Sequence, residues 1–378
     1  MNRLCASAIA IAIMDFSSCA YADSTNSVSS NQSGTGNFES AAQQGSGNAT
    51  TTVQSGPGNV IYNTSAGDNN TAAAIQSGAG NYSTIQIHGS GNTGFSEQYG
   101  PGNIASLDQH GNSNYIHTYQ VGDPLVVGVQ QNGNGNYAYS YQSGYTHGAG
   151  IVQNGDANSY TGVQQGRSNG IASITNGSGN SVTVKQAVLP GWNAPQNVPA
   201  NNSAQVYVSG GNNQEITEQY SAGNQAYVNI TGNNNYTHTY QQGDPLVLSV
   251  TQQGNNNYTD AVQIGYTSGG TIYQYGNSNA AVSRQFGTAN TMALGQIGTG
   301  NYGYIYQYGT GNNAALGQNY ANGNAGIIEQ TGNNDLGVID QSGGASNYAH
   351  LTQAGSGLAL GIDQRGAVGQ SITITQSK

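Results

Sequence analysis

Apolar and polar residues alternate along this chain in runs of about five residues, each opened by Asn and closed by Gln. In the run from Asn103 to Gln109, Ala105 and Leu107 share the parity of the two amides, while Ile104, Ser106 and Asp108 take the other. The next run puts Ile116 and Thr118 in phase with Asn114 and Gln120, and Tyr115, His117 and Tyr119 out of phase. Period-two alternation predicts a short β-strand with one face inward. Between runs stands a Gly-rich stretch, with Pro at Pro57, Pro101, Pro124 and Pro245, which predicts a turn.

The unit of strand and turn recurs at a constant step, as "QSGPGNVIYNTSAGDNNTAAAIQSGAGN" (residues 54–81) illustrates. Stepping by 11 from Gln32 to Gln318 gives 27 positions, of which 21 are Gln, 23 have Gly two residues on and 21 have Asn five residues on. Disorder does not hold a frame over such a length, so the polar composition does not signify a disordered chain. After Gln318 the frame slips by one, resumes at Gln330 and Gln341, slips again, and continues at Gln353 and Gln364. "NYIHTYQVGDPLVVGV" from Asn114 returns as "NYTHTYQQGDPLVLSV" from Asn235, an offset of eleven whole units.

A single strand with one apolar row and two corner amides cannot bury itself. Two folded face to face make a thin coil of 22 residues, and stacking such coils pairs every backbone group with its neighbours at about 4.8 Å. The expected fold is therefore all-β: a β-solenoid of about 16 coils with two facing, parallel, in-register sheets. Inward Gln and Asn are tolerable only as continuous ladders, because an unpaired buried amide costs roughly 1–3 kcal/mol. The predicted ladder corners are Gln43, Asn48, Gln54, Asn59, Gln76, Asn81, Gln98, Asn103, Gln109, Asn114, Gln131, Asn136, Gln252, Asn257, Gln274, Asn279, Gln296, Asn301, Gln307 and Asn312. Gly56, Gly78, Gly100, Gly111, Gly133, Gly254, Gly276, Gly298 and Gly309 are the predicted turn glycines. Among the tyrosines after residue 22, only Tyr160 falls on the inward phase.

Composition narrows the function. Only 6% of the 378 residues are charged and the net charge is −10, without the clustered Lys and Arg that binding to nucleic acid requires. Residues 1–22 read as a signal peptide: Arg3, an apolar stretch, then Ala20-Tyr21-Ala22 as cleavage site. A lipidated Cys19 is the competing reading, with Phe16-Ser17-Ser18 a poor fit to its motif. Both cysteines, Cys5 and Cys19, lie in that segment, so a secreted chain would hold no disulfide. No later apolar run is long enough for membrane insertion.

The pattern Ser-x5-Gln-x-Gly-x-x-Asn-x-Ala-x3-Gln, seen at Asn70–Gly78 and Asn103–Gln109, resembles the repeat of curlin, the major subunit family of bacterial curli fibres. The resemblance spans about residues 32–376. It implies a secreted functional amyloid, located in an extracellular fibre at the bacterial cell surface and serving biofilm matrix and adhesion. Its implied partners are further copies of itself as a homopolymer, a minor nucleator subunit, and an outer-membrane secretion pore. The chain differs from the familiar subunit in its larger number of repeats and its short leader, residues 23–31. The expected organisation is then residues 32–186 as one block of repeats, residues 187–207 as a Pro-rich interruption, and residues 208–378 as a second block.

Other chemistry leaves little trace. The six histidines have no metal-ligand spacing, and His117 and His238 are duplicate copies of one outward position. The Gly-x-Gly matches open no helix, and Gly122-Asp123-Pro124 and Gly243-Asp244-Pro245 lack the repeated Asp of calcium turns. No enzyme, cofactor or metal site is expected. Glu97, Asp108, Glu218, Glu329, Asp340 and Asp363 precede corner Gln positions and point outward, either as solvated charges or as a brake on aggregation. The interruption holds Pro190, Pro195, Pro199 and Trp192. Gln186 and Val208 flank it two units apart, which predicts one looped-out coil, with a hinge between domains as the alternative. The expected function is a structural subunit polymerising head to tail through open terminal strands. A monomeric secreted β-solenoid, either an adhesin or an ice-binding protein, is the rival from another class.

Overall fold

The computed structural model describes residues 25–187, 200–366 and 368–378. Among these the chain is all-β, with 31 strands, numbered β1 to β31 in chain order, and no helix. It divides into two compact units, Met1–Gly179 and Asn180–Lys378. Each unit winds as a β-solenoid, with consecutive strands alternating between two parallel sheets. Unit 1 holds fourteen strands, from β1 (Ser27–Ser33) and β2 (Phe38–Gln44) to β14 (Gly170–Ser178). Unit 2 holds seventeen, from β15 (Ser181–Gln186) to β30 (Ala359–Arg365) and β31 (Ser371–Ser377). At two strands per coil these make seven and eight and a half coils.

The register is the one that an 11-residue unit dictates. Gln76 pairs with Gln98, and Ala72 and Ala74 with Gly94 and Ser96, each exactly one coil on. Burial alternates without slipping, as in Thr71–Ser77, where Ala72, Ala74 and Gln76 are buried and their neighbours half-buried. The strands are longer than the runs of five that the sequence suggests: most run seven to nine, from the residue after Asn through Gln and beyond. The reason is that the backbone keeps pairing past the Gln, through Gly144 to Gly166 for example.

The interior is thin, so bulk at one position is matched by glycine at a neighbouring one. Tyr160 is fully buried because Gly162 leaves room for its ring: a Cβ on Gly162 would lie 2.2 Å from the Tyr160 hydroxyl. In unit 2, Leu248, Ile272, Leu294, Ile305, Leu316 and Ile328 belong to one apolar cluster drawn from both sheets, with glycine at Gly270, Gly303 and Gly326 where a neighbour intrudes. Tyr160 is the tyrosine that the alternation turns inward, but Tyr220 is buried by another route. It lies on the outward phase yet is 3% exposed, covered by Lys185 over its ring and by the Tyr240 ring at 5.3 Å.

Three features of the structure lie near the boundaries read from the sequence. The proposed signal peptide lies outside the described residues, but β1 takes in residues 27–31, so the first strand starts inside the proposed leader of residues 23–31. The unit boundary falls at Gly179/Asn180, ahead of residues 187–207. Finally, Val208 does not sit one coil from Gln186. Gln186 pairs with Gln219, three units on, whereas Val208, in the strand Ser203–Gly211 of the opposite sheet, pairs with Ile230. The interruption thus adds one unit to a coil, which preserves the alternation of sheets. Its prolines and Trp192 lie outside the described residues.

Candidate functional site

Every predicted ladder corner is buried, at 3% exposure or less. The Gln side chains form ladders in which the Nε2 of each donates to the Oε1 of the next: Gln54, Gln76, Gln98, Gln120, Gln142 and Gln164 in unit 1, at 2.8–3.1 Å. A shorter run joins Gln109, Gln131 and Gln153. In unit 2, one ladder runs from Gln186 to Gln376 and another from Gln252 through Gln274, Gln296, Gln318 and Gln341 to Gln364. The same Nε2 also reaches across the coil, as from Gln76 to the Val60 carbonyl at 3.0 Å and from Gln307 to that of Thr291 at 2.9 Å. Ladders break where the slot is not Gln: Gln43 meets Ser65 and turns to the Ser27 carbonyl and Thr50, and Gln109 has Ile87 beneath it.

Asn has a different task. The Oδ1 of Asn59 accepts the backbone N–H of Asn81, while its Nδ2 donates to the carbonyls of Ser55 and Gly78. Asn48, Asn103, Asn114 and Asn257 repeat the bond from the next coil's N–H and the bond to the next coil's turn carbonyl. Asn136, Asn279, Asn301 and Asn312 do so as well. Asn therefore satisfies turn backbone that the strand ladder cannot reach.

The turn glycines are required by stacking as well as by bending. Gly78 has φ +125°, and a Cβ there would lie 2.3 Å from the carbonyl oxygen of Gly100 in the next coil. Equivalent approaches of 1.7–2.3 Å hold at Gly56, Gly100, Gly111, Gly133, Gly254, Gly276, Gly298 and Gly309. Sequence reasoning missed a second left-handed position just before Asn. Gly80 fills it beside open space, but Asn69, Ser113, Ala157 and Asn256 adopt it too, at φ 55–57°. That mixture of residues hides the position in the sequence.

The outward rows carry the tyrosines, with Tyr115 on Tyr137 (5.2 Å, 4°) and Tyr236 on Tyr258 (5.1 Å, 8°) stacked along the solenoid. They also carry the predicted acids, several beside a base. His117 lies 3.0 Å from Glu97, and His238 lies 3.0 Å from Asp260 and 3.8 Å from Glu218. The hydrogen bonds to Asp260 and Glu218 push His238 up to about 9, and the bond from His238 holds Glu218 below the usual carboxylate range. Arg284 pairs with Asp260 and Lys185 with Glu218, at 3.7 Å for the latter. Among the described residues no group of three or more His, Cys, Asp or Glu could hold a metal ion, and no helix is long and apolar enough to cross a membrane.

Among the described residues four acidic or histidine side chains lie inside: Glu39, Glu215, His147 and Asp335, the last at an Asn corner with its Oδ1 accepting the Leu358 N–H at 2.9 Å. Glu39 and Glu215 stand two residues after an Asn, so parity alone places them inward. Burial pushes Glu215 up to about 8; Thr217 donates to its Oε1, and Oε2 has no partner. His147 occupies an Asn corner: its Nδ1 accepts the Asn169 N–H at 3.2 Å, its Nε2 contacts the Ser143 carbonyl at 3.1 Å, and burial pushes it down. No protein-family model matches this chain, and no curated protein does.

Proposed function

We propose that this chain is a structural subunit of an extracellular, curli-like amyloid fibre, with no catalytic or cofactor role. Subunits polymerise head to tail by adding the first coil of one copy to the last coil of another. What supports the reading most is the state of the two ends. Among the described residues β1 and β2 are paired on one side only, as are β30 and β31, and each leaves a row of backbone donors and acceptors in a register set by the repeating unit. An open, self-complementary edge whose contact does not close makes a filament. The curlin resemblance adds the biological setting: adhesion and biofilm matrix, with a nucleator and a secretion pore as partners.

The test is growth from purified chain at neutral pH. Fibres that bind thioflavin and give a reflection of about 4.8 Å along their axis are expected. A chain that stays monomeric at every concentration, with its β content intact, would sink the reading in favour of a capped adhesin.

A further inference from the structure

The head of unit 1 and the tail of unit 2 are each stepped, and the steps match. At the head, β1 precedes β2 by half a coil and stands proud of it; at the tail, β31 follows β30 by half a coil and leaves a notch over β30. The inner rows record this. Val28, Ser30 and Gln32 of β1 and Ile372, Ile374 and Gln376 of β31 are only half-buried, whereas Glu39, Ala41 and Gln43 of β2 and Ile362 and Gln364 of β30 are buried.

The amide ladders add a direction. Each Gln Nε2 donates to the Gln one coil further along the chain, as Gln341 does to Gln364 and Gln353 to Gln376. The tail therefore presents amide donors and the head presents amide acceptors. At the head the buried Oε1 of Gln43 has no hydrogen-bond partner, its Nε2 being engaged with Ser27 and Thr50.

We propose that successive copies meet in a half-step lap joint, with β1 of the incoming copy filling the notch over β30 and its β2 lying on β31. The inference rests on the head-to-tail reading above and specifies its register: Gln32 on Gln364 and Gln43 on Gln376. Val28 then covers Ile372 and Ile374, and Gln43 gains the donor it lacks. The flush alternative, β1 on β31, leaves one strand missing over β30 and Gln43 without a donor. The turn after β30 is one residue longer than the turn after β1, since Gln364 and Gln376 are 12 apart and Gln32 and Gln43 are 11 apart. The chain absorbs the same difference once itself: between the strands Thr291–Thr299 and Asn313–Asn322 the register shifts at Gln296/Gly298.

Disulfide trapping in fibres grown from mixtures of single-cysteine chains tests the joint, using the exposed position Thr373. The lap places Thr373 beside Ser40 of the next copy, and the flush joint places it beside Ser29. Neighbouring parallel strands bring such Cα atoms within disulfide range. Thr373→Cys mixed with Ser40→Cys should give a covalent dimer on mild oxidation, and Thr373→Cys mixed with Ser29→Cys should not. The reverse pattern, or fibres in which neither pair links, overturns the lap joint while leaving polymerisation standing. Failure of all the mixtures and of the parent chain to form fibres overturns the head-to-tail reading itself, and the joint with it.

Discussion

The coils of unit 1 and the last coils of unit 2 obey different periods, and the difference shows what the fold copies. Gln54 to Gln164 repeat at a spacing of 22, but from Gln307 onward the ladder partners are 23 apart, as Gln307 with Gln330 and Gln330 with Gln353. The additional residue falls two positions after the corner Gln of an even-numbered strand: at Tyr320, inside the bulged strand Asn313–Asn322, and at Gly343 and Gly366, just past the strands Leu336–Ser342 and Ala359–Arg365, with φ of 52°, 65° and 63°. Asn322, Ala345 and Val368 bridge in a column beside them. Eleven is therefore not a rule in itself. A coil must match the coil below it, so a turn that lengthens once stays lengthened. Amides, glycines and turn lengths are all neighbour-to-neighbour properties.

The sharpest way to break that copying is to empty a ladder. Replacing Gln98, Gln120 and Gln142 together by Leu leaves the carbonyls of Tyr82, Ile104 and Val126 without their side-chain donors and Gln76 without its acceptor. At about 1–3 kcal/mol for each group, unfolding should become easier by roughly 5 kcal/mol or more. The outward triple Thr84→Leu, Ser106→Leu and Gly128→Leu should cost far less in the same urea titration, and equal losses would show that the amides are not what the coils share. Next in size is the lengthened turn. Deleting Gly343 alone strands a short turn between two long ones and removes the donor to the Asn319 carbonyl, at a cost of about 2–3 kcal/mol. Deleting Tyr320, Gly343 and Gly366 together restores matching neighbours, so the triple deletion should melt above the single one by circular dichroism.

A glycine pair separates bending from stacking. Gly78→Ala puts a methyl against the Gly100 carbonyl at a positive φ, whereas Gly80→Ala meets only the φ penalty. The first should cost roughly 2–3 kcal/mol and the second about 1; equal melting points would mean that the turn glycines serve conformation alone. This contrast also marks where the sequence is legible. The frame, the parallel register and the inward face follow from period-two alternation inside the repeating unit, because burial enforces both. The close approach at Gly78 is invisible in sequence, since a bend alone already explains a glycine. The left-handed residue before Asn is masked by the variety of Asn, Ser and Ala that fill it. Glu39 and Glu215 are legible by parity, against the general expectation that acids lie outside. The three-unit coil was not legible: Gln186 and Val208 keep the beat whether the added length makes half a coil or a whole one.

The smallest effects should come from two histidines that fill equivalent schemes in opposite ways. His147, at a buried corner of unit 1, is held neutral: its Nδ1 accepts from Asn169, and burial lowers its affinity for a proton. The unfolded chain, whose histidine titrates near 6.5, then binds the proton more readily than the folded one, so stability is full above about pH 6.5 and declines as pH falls below it. His238, outward in unit 2, is held charged by Asp260 and Glu218 up to about 9. Its contribution is complete below about pH 6.5 and disappears as pH rises through about 9. Screening at this partly exposed site limits the contribution of His238 to about 1 kcal/mol. In a Glu215→Gln background, which removes the buried carboxyl whose ionisation near 8 itself costs stability as pH rises, His147→Asn, which restores the usual corner, should remove the acid-side decline and leave the alkaline side unchanged, and His238→Gln should do the converse. Urea midpoints from pH 5 to 10 measure both. A single variant that flattened both limbs would mean that neither histidine is the group responsible.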